Sequence, residues 1–264
     1  MTGDTDAIGW LLNPANWTGD GSIPQRLGEH IVYVIITLVI AMVIAIPLGL
    51  LIGHTSRRSA KRSSAVAQAL PGIFRSVAIS FTGGMRALPT LGLVIILALW
   101  LGLGLIPPLI ALVILAIPPL LAGSYAGVEA VDASTTDAAR ATGFTEWGIL
   151  TRVEVPLALP LIVGGIRSAA LQVIATWTVA AYLPLGGLGR FIYDGLPIQD
   201  YAEMLGGSIL VMALALVVDG LFALTQRLAT PRGVILGRVR DIRTQTGKTS
   251  KTQRKERRWF APEA

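Results

Sequence analysis

The chain has 264 residues, of which 53% are hydrophobic and 14% charged, a balance too apolar for an ordinary soluble domain of this size. It contains no cysteine and only two histidines, His30 and His54, which removes disulfides, thiol nucleophiles and thiolate metal sites and leaves little for catalysis or metal binding. The net charge of +6 is gathered in two clusters, Arg57 to Arg62 and Arg238 to Arg258, a placement that marks cytoplasmic segments beside anionic lipid rather than a nucleic-acid surface.

Residues 1–29 are polar, with three aspartates against Arg26 and with Trp10 and Trp17 as interfacial anchors, so they are expected outside the membrane. They lack the basic start and small-residue cleavage site of a signal peptide, and the first span is expected to stay in the mature chain. That span is read as His30 to Gly53, with Pro47 inside it, tolerated where neighbouring helices satisfy the freed carbonyl. Ser64 to Phe81 carries Pro71 and Arg75 and reads as a cytoplasmic or interfacial helix.

From Leu88 to Val128 the apolar character hardly stops, and one helix of that length would be about twice the hydrocarbon thickness. Two spans are therefore expected, broken at Gly102, Gly104, Pro107 and Pro108. A polar stretch, Glu129 to Glu154, separates them from a span over Leu157 to Tyr182, a glycine-rich loop to Asp200 and a last span over Met204 to Leu228. The expected fold is an all-α integral membrane protein of about five transmembrane helices over residues 30–228. The N-terminus lies outside and a disordered basic tail, residues 229–264, lies in the cytoplasm.

The polar stretch offers Asp132 as an N-cap, helix-forming residues to Thr142, a stop at Gly143 and a second short helix from Thr145. Pro156 and Pro160 tie it to the next span. On composition alone a solvated surface connector is the favoured reading. However, Asp137-Ala138-Ala139-Arg140-Ala141-Thr142-Gly143, followed by Val155-Pro156-Leu157-Ala158-Leu159-Pro160, resembles the EAA loop of binding-protein-dependent ABC importer permeases of type I, the MetI-like fold. The departure is Asp137 where that family has Glu, which keeps the charge and shortens its reach.

The resemblance implies that residues 129–156 form coupling helices seated in a groove of a separate ATPase. Asp137, Ala138, Ala139, Arg140, Gly143, Glu146 and Trp147 would carry that contact. It also implies a second permease subunit, identical or paralogous, and an external substrate-binding protein. ATP would be bound by the partner ATPase, leaving this chain without a cofactor. Arg86 to Gly92, Ile117 to Leu121, Val131-Asp132, Gly186 to Gly189 and Asp194-Gly195 are similar to the subgroup that imports osmoprotectants, quaternary ammonium compounds such as glycine betaine, choline and carnitine. The competing readings are a permease for another solute such as an amino acid, and a channel or scaffold.

The remaining candidates carry two readings each. Thr246-Gly247-Lys248-Thr249 ends like a P-loop but has Ile242 where the motif needs glycine, so no nucleotide site is read there. Arg167 and Asp219 are costly in spans and are read as an ion pair holding two helices in register, against separate snorkelling. Trp177 and Tyr182 either pass a quaternary ammonium ion or, as the favoured reading, belong to the interfacial aromatic belt. Gly186, Gly187 and Gly189 are loop punctuation or, by the resemblance, an external gate meeting the binding protein. Pro89 and Thr90 open the second span, where a kink outweighs a pathway role. Gly164, Gly165, Gly206 and Gly207 are assigned to close helix packing.

Overall fold

The computed structural model describes residues 6–60 and 89–229. The segment Ser64 to Phe81, the Thr246 to Thr249 match and the basic tail lie outside the described residues. In chain order the elements are α1 (Ala7–Leu12), a 3-10 turn (Pro14–Trp17), α2 (Ile23–Ala60), α3 (Thr90–Leu101) and α4 (Ile106–Glu129). There follow α5 (Ala133–Ala141), α6 (Glu146–Ile149), a π turn (Leu150–Glu154), α7 (Val155–Ala180), α8 (Arg190–Ile198) and α9 (Tyr201–Ala229). The described residues are helical, with no strand among them.

Four of these stretches are long and apolar enough to cross a membrane: Ile23–Ser56, Ile106–Glu129, Glu146–Ala180 and Tyr201–Leu228. The fifth expected span is the 12-residue α3, about 18 Å long against a hydrocarbon core of about 30 Å. Among the described residues four helices are therefore full-length, and the expected additional span is represented by the shorter apolar α3. The break before α4 falls where glycine and proline mark it, with Gly102 at φ +86° and Gly104 at φ +144°. These are left-handed conformations open to glycine at no steric cost. Pro107 then sits in the first turn of α4, where its missing N–H costs nothing.

Helix α4 is the centre of the bundle, buried along most of its length against α2 on one side and α7 on the other. Small residues let the backbones meet. A Cβ on Gly123 would stand 2.7 Å from the Gly165 Cα and 2.9 Å from the Leu161 carbonyl oxygen. One on Gly49 would stand 2.9 Å from the Leu121 carbonyl oxygen. In lipid, where helices gain no hydrophobic advantage from associating, such contact surfaces supply the attraction. Gly165 thus has the packing role expected of it, whereas Gly164 faces only the Gln226 amide.

The prolines of α4 create a need that α7 meets. Pro119 has no N–H to give to the carbonyl of Leu115, one turn earlier. Gln172 of α7 donates its side-chain amide to that oxygen at 3.0 Å. A buried carbonyl is thereby satisfied by a neighbouring span, as membrane helices require.

Four further expectations change. The first long helix begins at Ile23 rather than His30, the polar residues before His30 forming its first turns. The second short helix of the polar stretch is no separate element, because Glu146–Ala180 runs on through the π turn into the span. The glycine-rich loop holds a helix of its own, α8, whose Phe191 packs with Ile23 and Leu188. Trp10 is part of that cluster, its ring 5.1 Å from Phe191 in an edge-to-face arrangement. Trp10 is therefore half-buried packing rather than a free interfacial anchor, while Trp17 is exposed and donates its indole N–H to the Leu11 carbonyl.

Candidate functional site

The polar stretch folds into an elbow at one end of the bundle. Asp132 caps α5 by accepting from the Ser134 N–H. Gly143 ends it at φ +88°, the left-handed C-terminal position that glycine fills best. Thr145 then caps α6, its hydroxyl accepting from the Gly148 N–H. Each cap satisfies a backbone donor that a helix start leaves open.

Within the elbow Arg140 binds three carboxylate oxygens. Its Nε donates to Glu146 Oε1 at 2.9 Å and its Nη2 to Glu146 Oε2 at 3.2 Å, a two-point contact across the bend. Its Nη1 donates to Asp137 Oδ1 at 3.0 Å. The Glu146 hydrogen bond foremost, with help from Asp137, holds the Arg140 guanidinium above its ordinary range. Asp137 and Ala138 are exposed, Ala139 is half-buried, and Gly143 is exposed at the tip. Trp147 leaves 69% of its surface open and Phe144 is exposed beside it. These aromatic rings flank a groove of about 490 Å³ lined also by Thr142, Thr145 and Arg152. The elbow thus exposes two aromatic rings beside a bend held by the Arg140, Glu146 and Asp137 side chains.

Beneath the elbow lies a pair that the sequence reading did not single out. His54, on α2, places Nδ1 2.6 Å from Glu154 Oε2 and Nε2 3.3 Å from Glu146 Oε2. Glu154 is 1% exposed and His54 is buried. The available signal was a histidine at the edge of an apolar run and a glutamate just before Pro156. Neither reveals that residues a hundred positions apart meet.

At the opposite end, the glycine loop is fastened to the start of α2. Gly187, at φ +93°, donates its N–H to Glu29 Oε2 at 2.8 Å, and Leu188 donates to His30 Nδ1 at 3.3 Å. His30 Nε2 donates to the Ile174 carbonyl at 3.2 Å, so the neutral ring with its proton on Nε2 satisfies both contacts. A Cβ on Gly186 would overlap the Glu29 carboxylate, and one on Gly189 would overlap the Thr178 carbonyl. These glycines therefore make close approaches within the chain and are not mere punctuation. Gly206 and Gly207 likewise lie against Trp10 and Phe191.

Trp177 is 2% exposed, which removes it from the interfacial belt. It lies in the interior with its indole N–H donated to Thr37 Oγ1 at 2.9 Å and its ring 4.9 Å from Tyr33. Thr37 in turn donates to the Tyr33 carbonyl. Tyr182 is 55% exposed and meets Tyr193 edge to face at 5.7 Å. Burial raises the Tyr193 phenol above its usual range, with Tyr182 adding to the effect. Trp177 and Tyr182 therefore do not share a site. Pro89 is exposed and stands as N-cap of α3, with Thr90 half-buried at its first position. Arg167 and Asp219 do meet, through Nε to Oδ1 at 2.6 Å and Nη2 to Oδ2 at 2.7 Å.

Comparison with known proteins gives this architecture a family. The chain is 33% identical over 156 residues to the glycine betaine/carnitine/choline transport system permease protein OpuCB of Bacillus subtilis (strain 168), covering 59% of this chain and 72% of that protein. It is 37% identical over 150 residues to the carnitine transport permease protein OpuCB of Listeria monocytogenes, covering 57% and 69%. Among solved structures, an inward-facing MetNI methionine ABC transporter matches with a TM-score of 0.66 at 20% identity, covering 84% of this chain and 97% of that one. At that identity the likeness concerns the fold. The family model described as "Binding-protein-dependent transport system inner membrane component" matches residues 45–232, from the middle of α2 past the end of α9. A helical bundle with a charge-braced elbow between its central spans, matched over that whole range, belongs to this family of permeases, the non-enzymatic membrane components of ABC importers.

Proposed function

We propose that the chain forms half of the translocation path of an ATP-driven importer of osmoprotectants, quaternary ammonium compounds such as glycine betaine, choline and carnitine. The substrate class is supported by the names of the relatives that match over more than two-thirds of their length. The elbow is the single observation that carries the mechanism. Its exposed Trp147 and Phe144, held by the Arg140 and Glu146 contact, fit a groove on a separate ATPase, which binds and hydrolyses the ATP. Asp137, Ala138, Ala139 and Gly143 complete that face.

In this reading the elbow and the basic clusters lie in the cytoplasm, and the N-terminal residues with the glycine loop lie outside. Gly186, Gly187 and Gly189, fastened to Glu29 and to Thr178, then belong to the rim that meets a substrate-binding protein. A second permease subunit faces the exposed apolar sides of α2 and α9. Alternating access follows from rigid-body motion of the elbow passed to the spans it continues into, because α6, the π turn and α7 are one continuous helix. The test is uptake of labelled glycine betaine, choline and carnitine by vesicles carrying the permeases, the ATPase and the binding protein. ATP-dependent uptake of one of these supports the reading. Failure with all three, alongside uptake of an amino acid, overturns the substrate class.

A further inference from the structure

The His54 cluster joins three elements that the elbow has to move together. Glu146 opens α6 and Glu154 closes the π turn, eight residues later. In an unbroken α-helix a residue eight positions on is rotated by about 80° from the first, whereas one seven positions on lies within about 20° of it. The π turn accommodates one extra residue, so Glu154 stands where a seventh residue would and faces the same way as Glu146. Both carboxylates thereby reach one ring on α2. Each of its two ring nitrogens faces one of these carboxylates.

Burial of this group has a cost that stability does not explain. A buried polar contact adds little over an apolar pair of the same shape, because desolvation offsets most of the attraction. What it adds is fixed geometry. Glu146 is shared between His54 and Arg140, so the carboxylate that braces the bend of the elbow also holds the end of α2. Two residues beyond His54 on α2 is Ser56, whose hydroxyl donates to Glu129 Oε1 at the end of α4 at 3.3 Å. Among the described residues, the charged and polar groups facing His54 or linked to it are Glu146 and Glu154 on the α6 side, Ser56 with Glu129 at the end of α4, and Arg140 behind Glu146.

We infer that His54, through Glu146 and Glu154, is a positioning residue that locks the end of α2 to the elbow, so that motion of the docked ATPase moves α2 and α7 as one body. The inference rests on the reading of the elbow as the ATPase-docking element. Without the lock the elbow still binds the ATPase, but its motion reaches α7 and not α2. ATP is then hydrolysed with less solute carried.

The test uses the complete transporter in proteoliposomes, measuring solute uptake and ATP hydrolysis together. His54→Leu is expected to lower the ratio of uptake to ATP hydrolysed by about fivefold or more, the scale of an ordinary coupling free energy. His54→Leu combined with Glu154→Leu removes both polar groups, and is expected to restore assembly and thermal stability to the unsubstituted level while leaving the ratio low. A double variant that transports with the unsubstituted ratio overturns the inference and makes the pair purely structural. Should both His54 variants fail to assemble, Glu146→Gln decides the matter, since Glu146 is only half-buried. A lowered ratio there supports the lock, and an unchanged ratio overturns it. The unsubstituted complex separates the two readings, because absence of any ATP-driven uptake by it rejects the importer reading itself and the lock with it.

Discussion

Arg167 of α7 and Asp219 of α9 meet in a two-point ion pair, Nε to Oδ1 at 2.6 Å and Nη2 to Oδ2 at 2.7 Å. Each side chain keeps about a third of its surface open, 33% and 32%. Both lie in segments long and apolar enough to cross a membrane, where an ionisable group without a partner is costly. The planar fork of arginine matches the carboxylate at both oxygens, which fixes rotation as well as distance between the two helices.

Reversal of either charge alone, Arg167→Glu or Asp219→Arg, is expected to reduce the amount of permease in the membrane, because two like charges then face each other between spans. Reversal of both together should recover most of it. Detergent-extracted protein and its thermal denaturation provide the measurement. A double variant no better than the singles would show that the pair does not hold the helices.

Trp147→Ala removes the most exposed ring of the elbow without touching the bundle interior. Membrane levels should stay unchanged, while retention of the ATPase on purification falls sharply, on the scale of about 2 kcal/mol for a buried aromatic anchor. Equal recovery of ATPase with and without Trp147 would move the docking surface elsewhere.

Trp177 tests packing against passage of a cation. Trp177→Phe loses the hydrogen bond to Thr37 and should cost about 1 kcal/mol, leaving the order of preference among quaternary ammonium solutes unchanged. Trp177→Ala opens a cavity among Tyr33, Thr37 and their neighbours and should cost about 3–5 kcal/mol. Thermal denaturation in detergent reads both stability losses, and competition uptake reads the solute preference. A changed solute preference in Trp177→Phe at normal stability would return the residue to the pathway.

Gly123→Leu forces α4 and α7 apart, since even a Cβ there stands 2.7 Å from the Gly165 Cα. The expected loss is at least about 1–3 kcal/mol from overpacking, visible as loss of folded protein in a fluorescence-detected size-exclusion profile. The same substitution at Gly164, where the nearest atom is the end of the flexible Gln226 side chain, should be much milder.

Where a pattern is local it was legible. Asp132, Gly143 and Thr145 mark the elbow because caps and left-handed stops act within one turn. Gly102 and Gly104 mark the break between α3 and α4 for the same reason. The continuity of α6 with α7 was not legible, because Pro156 reads as the first turn of a new helix, whereas the chain runs into it unbroken through the π turn. Trp177 was misread as an interfacial anchor because proximity to the end of a span says nothing of which face points inward.

By itself the sequence determined that the chain lives in lipid, roughly where its long helices run, and that a polar elbow of importer type interrupts them. Those properties follow from runs of apolar residues and from short-range caps, which act along the chain. Only the tertiary structure decided that His54 meets Glu146 and Glu154 and that Gln172 serves the carbonyl freed by Pro119, and it settled the Arg167 and Asp219 pairing that the sequence had set against separate snorkelling. Each joins residues dozens of positions apart or more, and the meeting depends on helix rotation. A π turn or a facing pair of glycines sets that rotation, and no local pattern encodes it.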